Sequence, residues 1–121
     1  MTYEERKAQV KYYLGKTVRI EIDRPIGAVH PKHGEIIYPI NYGYIPGVLG
    51  GDGEELDVYL LGVDEPVTEY TARIIGIVHR KDDVEDKLAA APVGMSFTAI
   101  EIEDRIRFQE QFYDSYVEVE E

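Results

Sequence analysis

The chain has 121 residues, with 24 Asp and Glu against 13 Lys and Arg, which gives a formal net charge of −11. Its length fits a single domain over residues 1–121, and its 44% of hydrophobic residues suffices for a core, so wholesale disorder is not expected. The lack of cysteine excludes disulfides and thiolate metal sites.

The acidic excess also bears on partners and location. Proteins that bind nucleic acid neutralise its phosphates with Lys and Arg, so no nucleic-acid partner is expected. No segment has the roughly 20 apolar residues of a membrane span, and residues 1–15 are charged throughout, unlike a signal peptide. We therefore expect no membrane partner and a cytoplasmic location.

The first predicted element is a helix, capped by Thr2 and Glu5 and ended by Gly15. Alternating apolar and charged residues over 18–22 then predict a half-buried strand. Prolines and glycines make residues 25–34 a loop.

The remaining elements are mostly strands. Residues 35–44 are predicted to be extended, although Pro39 disfavours a central strand position, and a glycine-rich turn begins at Gly47. Later strands are predicted over 56–61, 68–79, 87–91 and 117–119, with a helix capped by Thr98 and Glu101 before the last. This order predicts a mainly β (α+β) fold, a small barrel or sandwich with flanking helices.

The segment 52–57, Asp-Gly-Glu-Glu-Leu-Asp, carries four acidic residues and no basic one. Hard divalent cations take oxygen ligands, and a turn leading into a strand can direct several carboxylates at one point. Asp57 interrupts an apolar strand, where a charge is costly unless it is paired or bound to a metal. The alternative is an ordinary solvated acidic turn.

A second acidic cluster lies at 80–87, Arg-Lys-Asp-Asp-Val-Glu-Asp-Lys. If the strand at Lys87 extends backward, Asp83, Glu85 and Lys87 share one face. Carboxylates beside a lysine suit a site for both cations and phosphoryl oxygens. The alternative is a charged hairpin turn.

Residues 38–45, Tyr-Pro-Ile-Asn-Tyr-Gly-Tyr-Ile, form a dense aromatic run whose Asn and Gly indicate a close backbone approach. Together with the glycine-rich turn and the segment 52–57, this run resembles the core of the soluble family I inorganic pyrophosphatases. The resemblance extends from about Val18 to Pro92 and implies an OB-like five-stranded β-barrel.

The resemblance also implies site residues. It implies two or more Mg²⁺ ions, or alternatively Mn²⁺. Their ligands fall on Asp52, Asp57, Glu85 and either Asp82 or Asp83, and Glu21, which matches a cleft glutamate, is a further candidate for the metal site. Glu54 falls where the family has the aspartate that activates the attacking water. Lys87 and Tyr42 match phosphate contacts, and with Asp57 and Glu54 they form the predicted catalytic set.

The phosphate-binding half of the site departs from the family. The family's hairpin after the first strand is shortened to 25–35, and its C-terminal Tyr-Lys pair falls on Phe112 and Tyr113. Each lost charge-assisted contact weakens phosphate binding by about 1.5–3 kcal/mol. The remaining candidates for substrate contact are His30, Lys32, Arg80 and Lys81.

Three hypotheses follow. The first is Mg²⁺-dependent hydrolysis of inorganic pyrophosphate by an activated water. The second keeps the metals but cleaves another small phosphorylated molecule. The third is a non-catalytic metal-binding module on the same fold, which the replacement of the water-activating aspartate by Glu54 favours. The family often assembles, so a homo-oligomer is compatible with the resemblance.

Overall fold

The computed structural model describes residues 1–120. The helices are α1 (Tyr3–Tyr13) and α2 (Ala99–Glu110), and the strands are β1 (Thr17–Arg24), β2 (Asn41–Leu49), β3 (Glu55–Leu60), β4 (Glu69–Arg80), β5 (Lys87–Ala91) and β6 (Ser115–Val119). Capping boxes start both helices, at Thr2 with Glu5 and at Thr98 with Glu101, as the sequence predicted. Within residues 1–120, neither helix has the length and apolar character needed to cross a membrane.

Five strands close into a barrel in the order β1-β2-β3-β5-β4, with β1 pairing back to β4. All of these pairs are antiparallel except β3 with β5. The long strand β4 closes the barrel on β1 through its first half and binds β6 through its second half. The predicted five-stranded barrel with flanking helices is confirmed, and β6 is an additional strand outside it.

Two apolar clusters fill the protein, because successive residues of a strand point to opposite faces of the sheet. Val58 and Leu60 of β3 belong to one cluster, which also receives Val10 of α1. Tyr59 and Leu61 belong to the other, which packs against Ile102 and Ile106 of α2. The second cluster lies beneath the functional cleft described below.

The extended segment differs from the prediction at both ends. Strand β2 begins only at Asn41, after Pro39, and residues before it make an isolated bridge between Val29 and Ile37. The strand also continues through Gly47, where a turn was predicted. A register shift between Tyr44 and Leu49 allows this, and Gly47 takes a positive φ of 78° within it.

Candidate active site

A cleft of about 470 Å³ opens where the starts of β2, β3 and β5 meet the end of β4 and the last turn of α2. Equal numbers of acidic residues and of Lys and Arg residues line this cleft. The acidic members are Asp52, Glu54, Asp57 and Glu85, and the basic members are Arg24, Lys32, Arg80 and Lys87. The two acidic segments and the aromatic run, which are separate in sequence, therefore meet in one place.

The start of β2 fixes Tyr42 in the floor of this cleft. Asn41 is fully buried, and its side chain accepts a hydrogen bond from the Ile26 amide (3.1 Å) and donates to the Glu65 carbonyl (3.0 Å). A Cβ at Gly43 would overlap the backbone of β1 at Glu21, so the close approach predicted there is present. These contacts hold Tyr42, which is 3% exposed, in a single position.

Gly51 lets the first acidic turn pack against the second. A Cβ at this position would overlap the carbonyl oxygen of Val84. The approach brings the carboxyl groups of Asp52 and Glu85 within hydrogen-bonding reach of each other. Burial and this contact with Asp52 raise the pKa of Glu85 to about 7. Burial also acts to raise the pKa of Asp52. The hydrogen bonds with Glu85 and with the Glu54 amide outweigh burial, so the pKa of Asp52 is lowered overall.

Lys87 joins the two acidic turns. Its Nζ lies 2.7 Å from Asp57 Oδ2 and 3.1 Å from Glu85 Oε1, and its side chain is 4% exposed. Burial lowers the pKa of Lys87, but Tyr42, Asp57 and Glu85 outweigh burial and raise it overall, so the ammonium stays charged. Burial raises the pKa of Tyr42, so its hydroxyl remains a hydrogen-bond donor.

Arg80 lies in the wall of the cleft, at the end of β4. Its guanidinium contacts Asp83 (3.0 Å), Glu85 (3.3 Å) and, through two nitrogens, Glu110 (3.1 and 2.6 Å). The Tyr113 ring covers it, with 3.6 Å between the guanidinium carbon and the ring centroid.

Three residues of this region were not predicted: Arg24, Gln109 and Glu110. Arg24 lines the cleft and donates to the Tyr38 hydroxyl (3.1 Å). Gln109 and Glu110 lie at the end of α2. Gln109 accepts a hydrogen bond from the Tyr38 hydroxyl, and Glu110 binds both Arg80 and the Tyr59 hydroxyl (2.5 Å). The sequence does indicate that Gln109 and Glu110 are buried, because they follow Ile102 and Ile106 at helical spacing on the apolar face of α2. A polar residue on such a face needs a hydrogen-bonding or charged partner.

The other predicted residues divide between the cleft and its surroundings. His30 and Lys32 line the cleft, and His30 Nδ1 accepts from the Lys32 amide (3.1 Å). Burial, His33 and Arg24 together lower the pKa of His30. Glu21 lies outside the cleft, on β1, and its carboxylate pairs with Arg19.

The second acidic cluster contributes one carboxylate to the cleft, that of Glu85. Asp82 accepts from the Asp114 amide (3.1 Å), Asp83 is held by Arg80, and neither lines the cleft. Asp86 is turned to the opposite side and is fully buried against α1. Lys81 lies over the Tyr116 ring, away from the cleft.

Asp52, Asp57 and Glu85 are the best cation ligands that this geometry offers. In the arrangement described, Lys87 holds two of them, and within residues 1–120 no three Asp, Glu or His side chains converge as a preformed metal cluster. Their oxygen chemistry nevertheless fits one divalent ion. The close Asp52–Glu85 pair favours neutralisation by a proton or a cation. The cleft can therefore combine a bound cation with fixed ammonium and guanidinium groups.

Comparisons with known proteins point to one family. A family model described as inorganic pyrophosphatase matches residues 6–120. An inorganic pyrophosphatase of Helicobacter pylori is 30% identical over 83 residues, covering 63% of this chain and 48% of the relative. One of Neisseria meningitidis is 38% identical over 82 residues, covering 64% and 42%. The chain thus spans about half the length of these curated relatives.

Solved structures show the same fold. The inorganic pyrophosphatase structure from Ehrlichia chaffeensis superposes with a TM-score of 0.67 at 18% identity, covering 88% of this chain and 87% of that one. A structure from Neisseria gonorrhoeae has a TM-score of 0.57 at 23% identity, covering 88% and 82%. At these identities the likeness extends to the barrel and its flanking helices.

Proposed function

The chain belongs to the inorganic pyrophosphatase family, and we propose that it hydrolyses inorganic pyrophosphate to orthophosphate with a divalent cation, Mg²⁺ or Mn²⁺, bound in the cleft. One observation carries the proposal. Tyr42, Asp57 and Lys87 come from three separate segments that resemble the inorganic pyrophosphatases, and all three line the same cleft. A phosphoanhydride substrate needs a cation site beside fixed positive groups, and the cleft offers both.

Asp52, Asp57 and Glu85 would hold the ion. When bound, it supplies the charge that activates a water molecule and neutralises phosphoryl oxygens. The protein's own groups do the rest. Glu54, whose side chain lines the cleft, accepts the proton of the attacking water. Lys87 and Tyr42 donate to phosphoryl oxygens.

The raised pKa values of these two donors support that role. Lys87 stays charged and Tyr42 stays protonated at any physiological pH, so both present a hydrogen to an anion. Because both are buried, their positions are fixed before substrate binds, which favours charge stabilisation during phosphoryl transfer.

The direct test is orthophosphate release from pyrophosphate with Mg²⁺ or Mn²⁺. We expect Asp57→Asn to abolish release and Glu54→Gln to lower kcat about 10²–10⁴-fold, since Gln cannot accept the proton. Glu55→Gln is the matched control, because this neighbouring carboxylate binds the Gly47 amide (3.0 Å) and does not line the cleft. Release that is unchanged in both site variants, or absent from the folded wild-type protein, would contradict the proposal. If the folded wild-type protein released no orthophosphate, the hypothesis of a non-catalytic metal-binding module on the same fold would remain.

An organic phosphate is the second candidate substrate, because rings form one wall of the cleft. The rings of His33 and Phe112 are stacked, with centroids 5.8 Å apart, and Tyr113 lies beside them. The volume of about 470 Å³ lies within the range of pockets that hold organic ligands. Comparing kcat/KM for pyrophosphate with that for a panel of phosphate esters separates the two candidates. A cytoplasmic location, the absence of nucleic-acid partners and a homo-oligomer stay predictions.

A further inference from the structure

Arg80 is built into the protein as a fixed cation. Its side chain is 2% exposed, yet the residue lines the cleft. Glu110 binds it through two parallel contacts, the fork geometry that best orients a guanidinium. Glu110 is itself held by the Tyr59 hydroxyl (2.5 Å), which in turn accepts from Gln109 (2.7 Å). The guanidinium therefore has little freedom to withdraw.

The same guanidinium occupies carboxylates that would otherwise bind a cation. It contacts Asp83 and Glu85 of the second acidic cluster. Asp82 is directed at the Asp114 amide and Asp86 at α1. With Asp82, Asp83 and Asp86 held in this way, only Glu85 of the second acidic cluster is left to share an ion with Asp52 and Asp57, and the cluster has no pair of carboxylates for an ion of its own.

We propose that the Arg80 guanidinium takes the place of a second divalent ion in this site. The chain then binds one ion, at Asp52, Asp57 and Glu85, and Arg80 supplies the further positive charge to the phosphate. This rests on the proposed function, and it differs from the two or more ions that the family resemblance implies. A fixed cation adds no dependence on metal concentration and never dissociates with the product.

The first test counts ions without measuring activity. Isothermal titration of Mn²⁺ into the metal-free wild-type protein should give one ion per chain. Two or more tightly bound ions would overturn the proposal. Because Mn²⁺ is the only ligand, this result stands whether or not the protein hydrolyses pyrophosphate, so the two proposals can fail separately.

The second test removes the fixed cation. Arg80→Gln alone would leave Glu110 buried and unpaired, so Arg80→Gln with Glu110→Gln is used, which removes both charges together. With Mn²⁺ saturating, we expect its affinity for inorganic phosphate to fall at least tenfold. Arg107→Gln with Asp104→Asn is the control, an exposed ion pair on α2 with the same change of charge.

Thermal unfolding first establishes that the double variant folds. Arg80→Lys, which retains the charge but not the fork, is the second variant, and its phosphate affinity should lie between those of the wild type and the double variant. A folded double variant or Arg80→Lys variant that binds phosphate like the wild type would overturn the role of Arg80.

Discussion

Gly51 determines the separation of the two acidic turns, because only a residue without Cβ fits against the Val84 carbonyl. We predict that Gly51→Ala pushes Asp52 away from Glu85 and weakens Mn²⁺ binding about 10–100-fold, as is typical when the residues supporting metal ligands change. Gly34→Ala is the control, since a Cβ there meets nothing within 4 Å. Titration calorimetry measures both, and equal affinities in the two variants would show that the turns do not depend on this contact.

Tyr38 gives a prediction about alkaline pH. Burial raises its pKa, and the hydrogen bond from Arg24 opposes this only partly. Above pH 10 the unfolded state therefore loses the Tyr38 proton while the folded state keeps it, so the free energy of unfolding falls as pH rises. Tyr38→Phe should be less stable than the wild type at pH 8, through the lost contacts to Arg24 and Gln109, but should lose less stability between pH 8 and 11. Urea unfolding at the two pH values measures this. If the wild type and Tyr38→Phe lost the same free energy of unfolding between pH 8 and pH 11, the prediction would be refuted.

Helix α1 is attached to the barrel by buried ion pairs as well as by the packing of Val10. Buried Asp86 accepts from Arg6 Nε and Lys7 Nζ, each at 3.0 Å, and from the Arg80 amide at 2.9 Å. Removing one partner leaves buried cations uncompensated, so Asp86→Asn should lower the free energy of unfolding by about 3–5 kcal/mol. Asp104→Asn, in an exposed pair, should change it by less than about 0.5 kcal/mol. Urea unfolding of both variants is the measurement, and similar losses would mean that α1 is held in another way.

The elements were predictable where a local pattern decides them. Alternation identified β1, and the capping boxes gave both helix starts. Charged turns lack such a pattern, so the sequence could not show that Glu85, and not Asp82 or Asp83, is the carboxylate of the second acidic cluster that lines the cleft. Arg24 and Glu110 act through partners more than 10 residues away in sequence, Tyr38 and Arg80. Only the closing of the barrel and the packing of α2 on it bring these partners together.

For the whole molecule, the net charge of −11 separates into parts with different roles. Residues 101–121 carry eight acidic and two basic residues, and the side chains of Glu103 and Asp104 on α2 are exposed to solvent. In the cleft, by contrast, four acidic side chains face four basic ones. The surface charge is screened by any salt, whereas we expect the cleft carboxylates to select a divalent ion.

This separation predicts different responses to two salts. NaCl and MgCl₂ at equal ionic strength screen the surface equally, so additional stabilisation by MgCl₂ reports a bound ion, which we expect to lie in the cleft. An ion present at 100 times its Kd should add about 2.7 kcal/mol to the free energy of unfolding. In Asp57→Asn the additional Mg²⁺ effect should vanish while the NaCl response persists. Glu103→Gln, which removes one exposed charge from α2, should keep both responses, because Glu103 does not line the cleft. Thermal unfolding in matched salts tests this, and an Mg²⁺ effect that survives in Asp57→Asn would locate the ion elsewhere on the acidic surface.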